Sequence, residues 1–264
     1  MTDFNYSREI SSPITAQIEI TDKCNERCKH CYNTWQFQKS IFKTLTSNEI
    51  DIIVEELAKN KIFHTTITWW EPLLYKEQTF YAISKLLDRW ISTTMNSNLT
   101  LVDEETAKRL QNLWLKFILT SLISSDKDIH NMVTQKNKAF EMWLKWVENI
   151  KKYTNIWLWV NMVLTQYNKD DVYETWKFLN SLGIKHFFVT RWSFPTEIRD
   201  FGNIAVSWEE TLKWLEQLIK VKKDFSMKVI DILECYPLCF LAEDEKFHQF
   251  TNHKCTAWIG SITI

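Results

Sequence analysis

Three cysteines, Cys24, Cys28 and Cys31, fall within the eight-residue run CNERCKHC. Thiolates are soft ligands, and three so close together can wrap one metal centre. The number three matters. A cubane iron–sulfur cluster held by three cysteines keeps one iron open to an outside ligand, whereas electron carriers hold each cluster with four. A structural zinc site also wants four ligands, which His30 or a distant cysteine would have to complete, and no second CxxC pair at zinc spacing follows. His30 itself reads as a packing residue. Three alternatives therefore stand on the residues alone: an open-site iron–sulfur enzyme, an iron–sulfur electron-transfer protein, and a zinc-stabilised binding module.

The elements around this run are strands and helices in alternation. Residues 14–21 alternate apolar and polar side chains and read as a strand, and the cysteine loop follows at 22–40. Thr46 and Glu49 form a capping box that opens a helix with Ile50, Ile53, Val54, Leu57 and Ala58 on one face. Further strands are predicted at 62–68, 91–95, 115–121, 157–164 and 184–190. Helices are predicted at 77–89, 103–113, 139–153 and 168–182, and a last one from the Ser207/Glu210 capping box to about Lys223. Alternation at this spacing argues for parallel βαβ units, in a partial barrel or an open doubly wound sheet. In both, functional groups collect at the C-terminal ends of the strands. The cysteine run lies after the first.

The run CNERCKHCYN resembles the CxxxCxxC loop of the radical S-adenosylmethionine (SAM) superfamily, which lies at the same place. The resemblance implies a partial (β/α)6 TIM-like barrel in which Cys24, Cys28 and Cys31 hold a 4Fe–4S cluster. SAM would chelate the fourth iron and be cleaved reductively to a 5′-deoxyadenosyl radical that abstracts hydrogen from substrate. It also implies a reduced flavodoxin- or ferredoxin-type electron donor. After the second strand, Thr68-Trp69-Trp70-Glu71-Pro72-Leu73 resembles the family's GGEP segment, with two tryptophans in the glycine places. By the same resemblance Trp69, Trp70, Glu71, Asn98, Ser121, Asn161 and Arg191 are candidate SAM-binding positions. Ile123 stands where the family often has an acid, and His130, though family-like in position, reads as solvated. Near the C-terminus, CTAWIGS around Cys255 resembles the opening of a SPASM-type auxiliary cluster domain of peptide-modifying and maturase enzymes. That makes Cys255 a candidate ligand of an auxiliary iron–sulfur cluster in the full-length protein and a peptide or protein a candidate substrate. Cys235 and Cys239 read as further ligands or buried thiols.

The two tryptophans belong to a wider anomaly. The chain has 3 glycines and 14 tryptophans in 264 residues, and only the two types together approach glycine's usual share of about 7%. Residues 179–187, LNSLGIKHF, read as helix end, glycine turn and strand start, and 110–117, LQNLWLKF, repeat the phrase with Trp114 in the glycine place. A residue just past a helix end wants positive φ, which glycine supplies and tryptophan resists. The expectation is a gene that reads UGA as glycine, rendered here with tryptophan; the alternative is a genuinely tryptophan-rich protein.

The rest of the composition mainly excludes. A net charge of −1 without a basic stripe gives no support for nucleic-acid binding. No apolar run approaches the roughly 20 residues of a membrane span, and the polar first residues are no secretory signal. The expected compartment is the reducing cytoplasm, where six cysteines are ligands or thiols rather than disulfides. The expected organisation is a lead at 1–13, a core barrel at 14–224 and a truncated auxiliary segment at 225–264, whose closing Ser261-Ile262-Thr263-Ile264 reads as a strand cut off before its partner.

Overall fold

The computed structural model describes residues 13–31, 42–192, 204–225, 230–232, 241, 244–250 and 261–263. Strands and helices alternate as β1 (Thr15–Glu19), α1 (Ser47–Lys59), β2 (His64–Thr68), α2 (Lys76–Asp88), β3 (Ser92–Asn96), α3 (Glu104–Asn112), β4 (Phe117–Ser121), α4 (Lys127–Thr134), α5 (Ala139–Tyr153), β5 (Trp157–Leu164), α6 (Val172–Ser181), β6 (His186–Arg191), α7 (Trp208–Asp224), β7 (Ile230–Ile232) and β8 (Ser261–Thr263). One parallel sheet carries all eight strands in the order β7-β6-β5-β4-β3-β2-β1-β8. Six consecutive βα units in sequential order make the partial barrel that the family resemblance implies, one of the two arrangements that the alternation allows, with a short strand added at each edge. The closing strand joins the sheet at its edge: Thr15 to Gln17 of β1 pair in parallel with Ser261 to Thr263. The open edge of β1 offers unpaired backbone groups, and β8 occupies them.

The helices form where the caps require. Thr46 accepts from the Glu49 amide and receives the Glu49 carboxylate on its own, and Ser207 and Glu210 repeat the exchange at α7. Asp103 caps α3 through the Thr106 amide. Each helix lays an apolar stripe on the sheet: Ile50, Val54 and Leu57 from α1, and Phe80, Ala82, Ile83 and Leu86 from α2, are almost wholly buried. Strand alternation does the complementary work. On β5, Leu158, Val160, Met162 and Leu164 join this core, while Asn161 and Val163 face the cavity on the other side.

One helix lies outside the sequence reading. Asp126 accepts from the amides of Asp128 and Ile129 and starts α4, which ends at Gln135 in the left-handed region. Among the described residues no helix is long and apolar enough to cross a membrane.

Candidate functional site

A cavity of about 400 Å³ opens at the C-terminal ends of the strands. Cys24, Cys28 and Cys31 line one side, Thr68, Asn96 and Ser121 come up from β2, β3 and β4, and Asn161, Thr190 and Arg191 face them from β5 and β6. The even pitch of parallel strands brings side chains distant in sequence to one level.

The cysteine loop is held by backbone hydrogen bonds from three directions. Below, the Glu71 amide donates to the Lys23 carbonyl at 3.2 Å. On the outer side, the Asp22 amide donates to the Lys43 carbonyl at 3.1 Å. Above, the Arg27 and Lys29 amides donate to the carbonyls of Thr134 and Val133 at 3.1 and 2.8 Å. Those carbonyls are the last of α4, which have no partner within the helix. The C-terminal end of α4 thus supplies the acceptors that the irregular loop needs. The Trp192 indole adds a bond to the His30 carbonyl at 2.7 Å.

Burial pushes the Cys24 and Cys28 thiols far up, and nearby carboxylates and the other cysteines add to it. Glu26, inside the run and only 6% exposed, is pushed to about 7 by burial, and the Cys28 thiol donates to its carboxylate at 3.5 Å. No three His, Cys, Asp or Glu side chains among the described residues gather tightly enough for a single metal ion. Three thiols lining one cavity are the donor set of a cluster in which each sulfur takes its own iron and one iron stays open.

The segment after β2 is strained. Trp69 and Trp70 have φ of 63° and 50°, a region that bulky residues avoid. Their indoles turn into the barrel, where Trp69 donates to Gln17 Oε1 at 3.1 Å and Trp70 to Glu19 Oε2 at 3.3 Å. Both line the cavity. Glu71, read from the sequence as cofactor-binding, is completely buried, and its carboxylate accepts from the Leu73 amide at 3.0 Å, Ser97 Oγ at 2.9 Å and the Asn98 amide at 2.8 Å. It ties the β2 loop to the β3 loop. Asn98 donates to Asn25 Oδ1 at 2.7 Å and toward Cys24 Sγ at 3.9 Å, so its amide serves the cysteine loop. Ser121 and Asn161 do face the cavity, and Thr190 donates to Asn161 Oδ1 at 2.8 Å. The Arg191 guanidinium packs over Trp208, 4.3 Å from the ring centroid, and donates to the Val206 carbonyl at 3.3 Å. Cys235, Cys239 and Cys255 lie outside the described residues.

Some of the site is absent from the sequence reading. His130, expected in solvent, is 2% exposed: it lies on the inner face of α4, accepts from the Ile123 amide at 3.2 Å, and burial lowers it to about 4. Lys136 carries no motif, and Glu26 and Thr100 lie within motif-like segments without a role assigned to them. The signal that was present is the Ser124-Ser125-Asp126 cap before α4, where Asp126 opens the helix and Ser124 Oγ accepts from the Asp126 amide at 2.9 Å.

Comparison with known proteins follows the same residues. A family model described as the radical SAM superfamily matches residues 18–179. The GTP 3′,8-cyclase of Aquifex aeolicus is 26% identical over 249 residues, 89% of this chain and 70% of the cyclase. The subtilosin biosynthesis protein AlbA of Bacillus subtilis is 21% identical over 182 residues, 69% of this chain and 40% of AlbA. Among solved structures, Streptococcus suis SuiB bound to S-adenosylmethionine superposes with a TM-score of 0.77 at 16% identity, covering 96% of this chain and 58% of SuiB. SuiB has also been solved with the precursor peptide SuiA, with a TM-score of 0.76 at 15% identity. The chain thus spans about half the length of AlbA and SuiB.

Proposed function

The chain belongs to the radical SAM superfamily, and from that premise we propose that it is an enzyme whose three-cysteine loop holds a 4Fe–4S cluster for the reductive cleavage of SAM. When bound, the cluster and SAM supply a 5′-deoxyadenosyl radical able to abstract hydrogen from a substrate. One observation carries the reading: Cys24, Cys28 and Cys31 line one cavity at the strand ends, in a loop pinned by β2, α4 and the residues before α1. The chain's own work is to fix these thiols, to present the backbone at 68–70 and the polar groups of Ser121, Asn161 and Arg191, and to bury the site from water. The substrate class we propose is a peptide, by analogy with SuiB and AlbA. A reduced flavodoxin- or ferredoxin-type protein would donate the electron, in the cytoplasm. An auxiliary cluster involving Cys255 belongs to the same proposal.

The working protein, in this reading, has glycine at 69 and 70. Of the eight non-glycine residues at positive φ among the described residues, four are tryptophans: 69, 70, 90 and 114. Each left-handed L-residue costs roughly 1–2 kcal/mol that glycine does not. With both indoles in place the cavity is about 400 Å³. Small-molecule sites span roughly 300–1,000 Å³, and this one must take cluster, SAM and the reacting part of a substrate.

The test is anaerobic reconstitution with iron and sulfide, followed by EPR of the reduced protein with and without SAM. A cubane signal that changes on adding SAM is the expected result. A cluster indifferent to SAM even after Trp69→Gly/Trp70→Gly would make the chain an electron carrier, and a colourless protein that retains zinc would make it a binding module. Cys28→Ala should abolish cluster assembly, since two protein ligands hold a cubane poorly.

A further inference from the structure

Behind the cysteine thiols lies a closed ring of polar side chains, Asn25 from the cysteine run and Asn98 and Thr100 from the segment after β3. Asn25 Nδ2 donates to Thr100 Oγ1 at 2.8 Å, Thr100 Oγ1 donates to Asn98 Oδ1 at 2.8 Å, and Asn98 Nδ2 donates to Asn25 Oδ1 at 2.7 Å. Within the ring each residue donates to one neighbour and accepts from the other, so the bonds run in one direction and polarise one another. Two further contacts leave the ring. The Lys136 ammonium donates to Thr100 Oγ1 at 2.9 Å, and Asn98 Nδ2 reaches Cys24 Sγ at 3.9 Å. Thr100 is 1% exposed, so the relay runs through protein.

Lys136 gets there through the end of α4. Gln135 takes a left-handed φ of 53°, and the Lys136 amide turns back to the Asn131 carbonyl at 3.3 Å. The turn that frees the last α4 carbonyls for the cysteine loop therefore also aims the lysine at Thr100. Cysteines that ligate a cluster do so as thiolates, which makes the loop anionic, and Lys136 is the cation hydrogen-bonded into the ring behind it.

We propose that Lys136 is the countercharge of the cysteine loop and that, through Thr100 and Asn98, it sets the reduction potential of a cluster held there. This deepens the proposed function and rests on it. A positive charge and an N–H donor near a thiolate ligand stabilise the more negative, reduced cluster. Lys136 is a positioning residue, since it touches no ligand sulfur itself.

The test is an EPR-monitored redox titration of the reconstituted chain and of Lys136→Met, Lys136→Arg and Thr100→Val. Lys136→Met should lower the midpoint potential, reducing the fraction of cluster reduced at a fixed poise several-fold. Lys136→Arg should stay near the parent, and Thr100→Val should fall between, because it breaks the relay and keeps the charge. A lysine that only braced the fold would change the melting temperature of the cluster-free chain and leave the potential alone. A Lys136→Met protein with a full cluster of unchanged potential overturns the inference. If Lys136→Met takes up no cluster, Thr100→Val decides, and an unchanged potential there overturns it equally. A parent chain that takes up no cluster overturns the functional reading and this inference with it.

Discussion

At Glu71, burial and hydrogen bonding pull one carboxyl in opposite directions. Burial raises it to about 7, even though the Asn98 and Leu73 amides and Ser97 Oγ favour the charged form. Its folded value therefore lies above the ordinary 4.5. A carboxyl raised on folding binds more protons in the native state, so stability is full below about 4.5 and declines as pH climbs to about 7. Glu26, raised to the same value mainly by burial, adds to the slope. Urea melts of the cluster-free chain should show stability falling between pH 4.5 and 7, and Glu71→Gln should flatten the slope. The amide has one acceptor for two backbone N–H donors, so Glu71→Gln should also cost about 1–3 kcal/mol at low pH, where the charge effect is gone. A slope that survives in a Glu26→Gln/Glu71→Gln double variant would assign the pH dependence elsewhere.

At the scale of elements, the sequence reveals those with strong local chemistry. The capping boxes at Thr46 and Ser207 and the Asp103 cap each start the helix they announce. The strand at 157–164 and the helix at 139–153 lie where periodicity places them. What stays hidden is what tertiary contacts decide. Helix α4 has eight residues, too few to show a stripe, and its purpose emerges only once the carbonyls of Val133 and Thr134 are seen against the cysteine loop. His130 looks like a surface residue because the charged run Asp126, Lys127 and Asp128 comes just before it in sequence, yet it is 2% exposed on α4. Likewise the conspicuous Glu71 ties the loops after β2 and β3 together through Leu73, Ser97 and Asn98, contacts that no local pattern announces. The α4 turn also gives a prediction of its own. Gln135 holds φ at 53°, and Gln135→Gly should relieve up to roughly 1 kcal/mol. That predicts a melting temperature higher by about 2–4 °C. No rise would mean that the Gln135 side chain itself stabilises the turn.

At the scale of the whole molecule, the described tryptophans fall into two groups by backbone alone. Trp90 and Trp114 sit at the ends of α2 and α3 with φ of 59° and 54°, and they are 93% and 79% exposed. Gly183 does the same work after α6 at φ 72°, which is what the repeated phrase in the sequence expects of position 114. At these places an indole brings strain and exposed apolar surface and no packing in return. Trp143, by contrast, lies inside α5, fully buried, with its indole N–H on Thr120 Oγ1 at 3.1 Å. The two groups should respond oppositely to one substitution. Trp90→Gly and Trp114→Gly should each raise stability by about 1 kcal/mol. Trp143→Gly should lose roughly 3–5 kcal/mol through the cavity it leaves and a helical glycine. Thermal melts of the three variants test this directly. If Trp90→Gly and Trp114→Gly destabilise the chain, these turns are built for tryptophan, and the same argument for glycine at 69 and 70 falls with them. If they stabilise it, backbone strain identifies glycine positions, and the seat beside the cysteines gains the open backbone that a close-bound ligand requires.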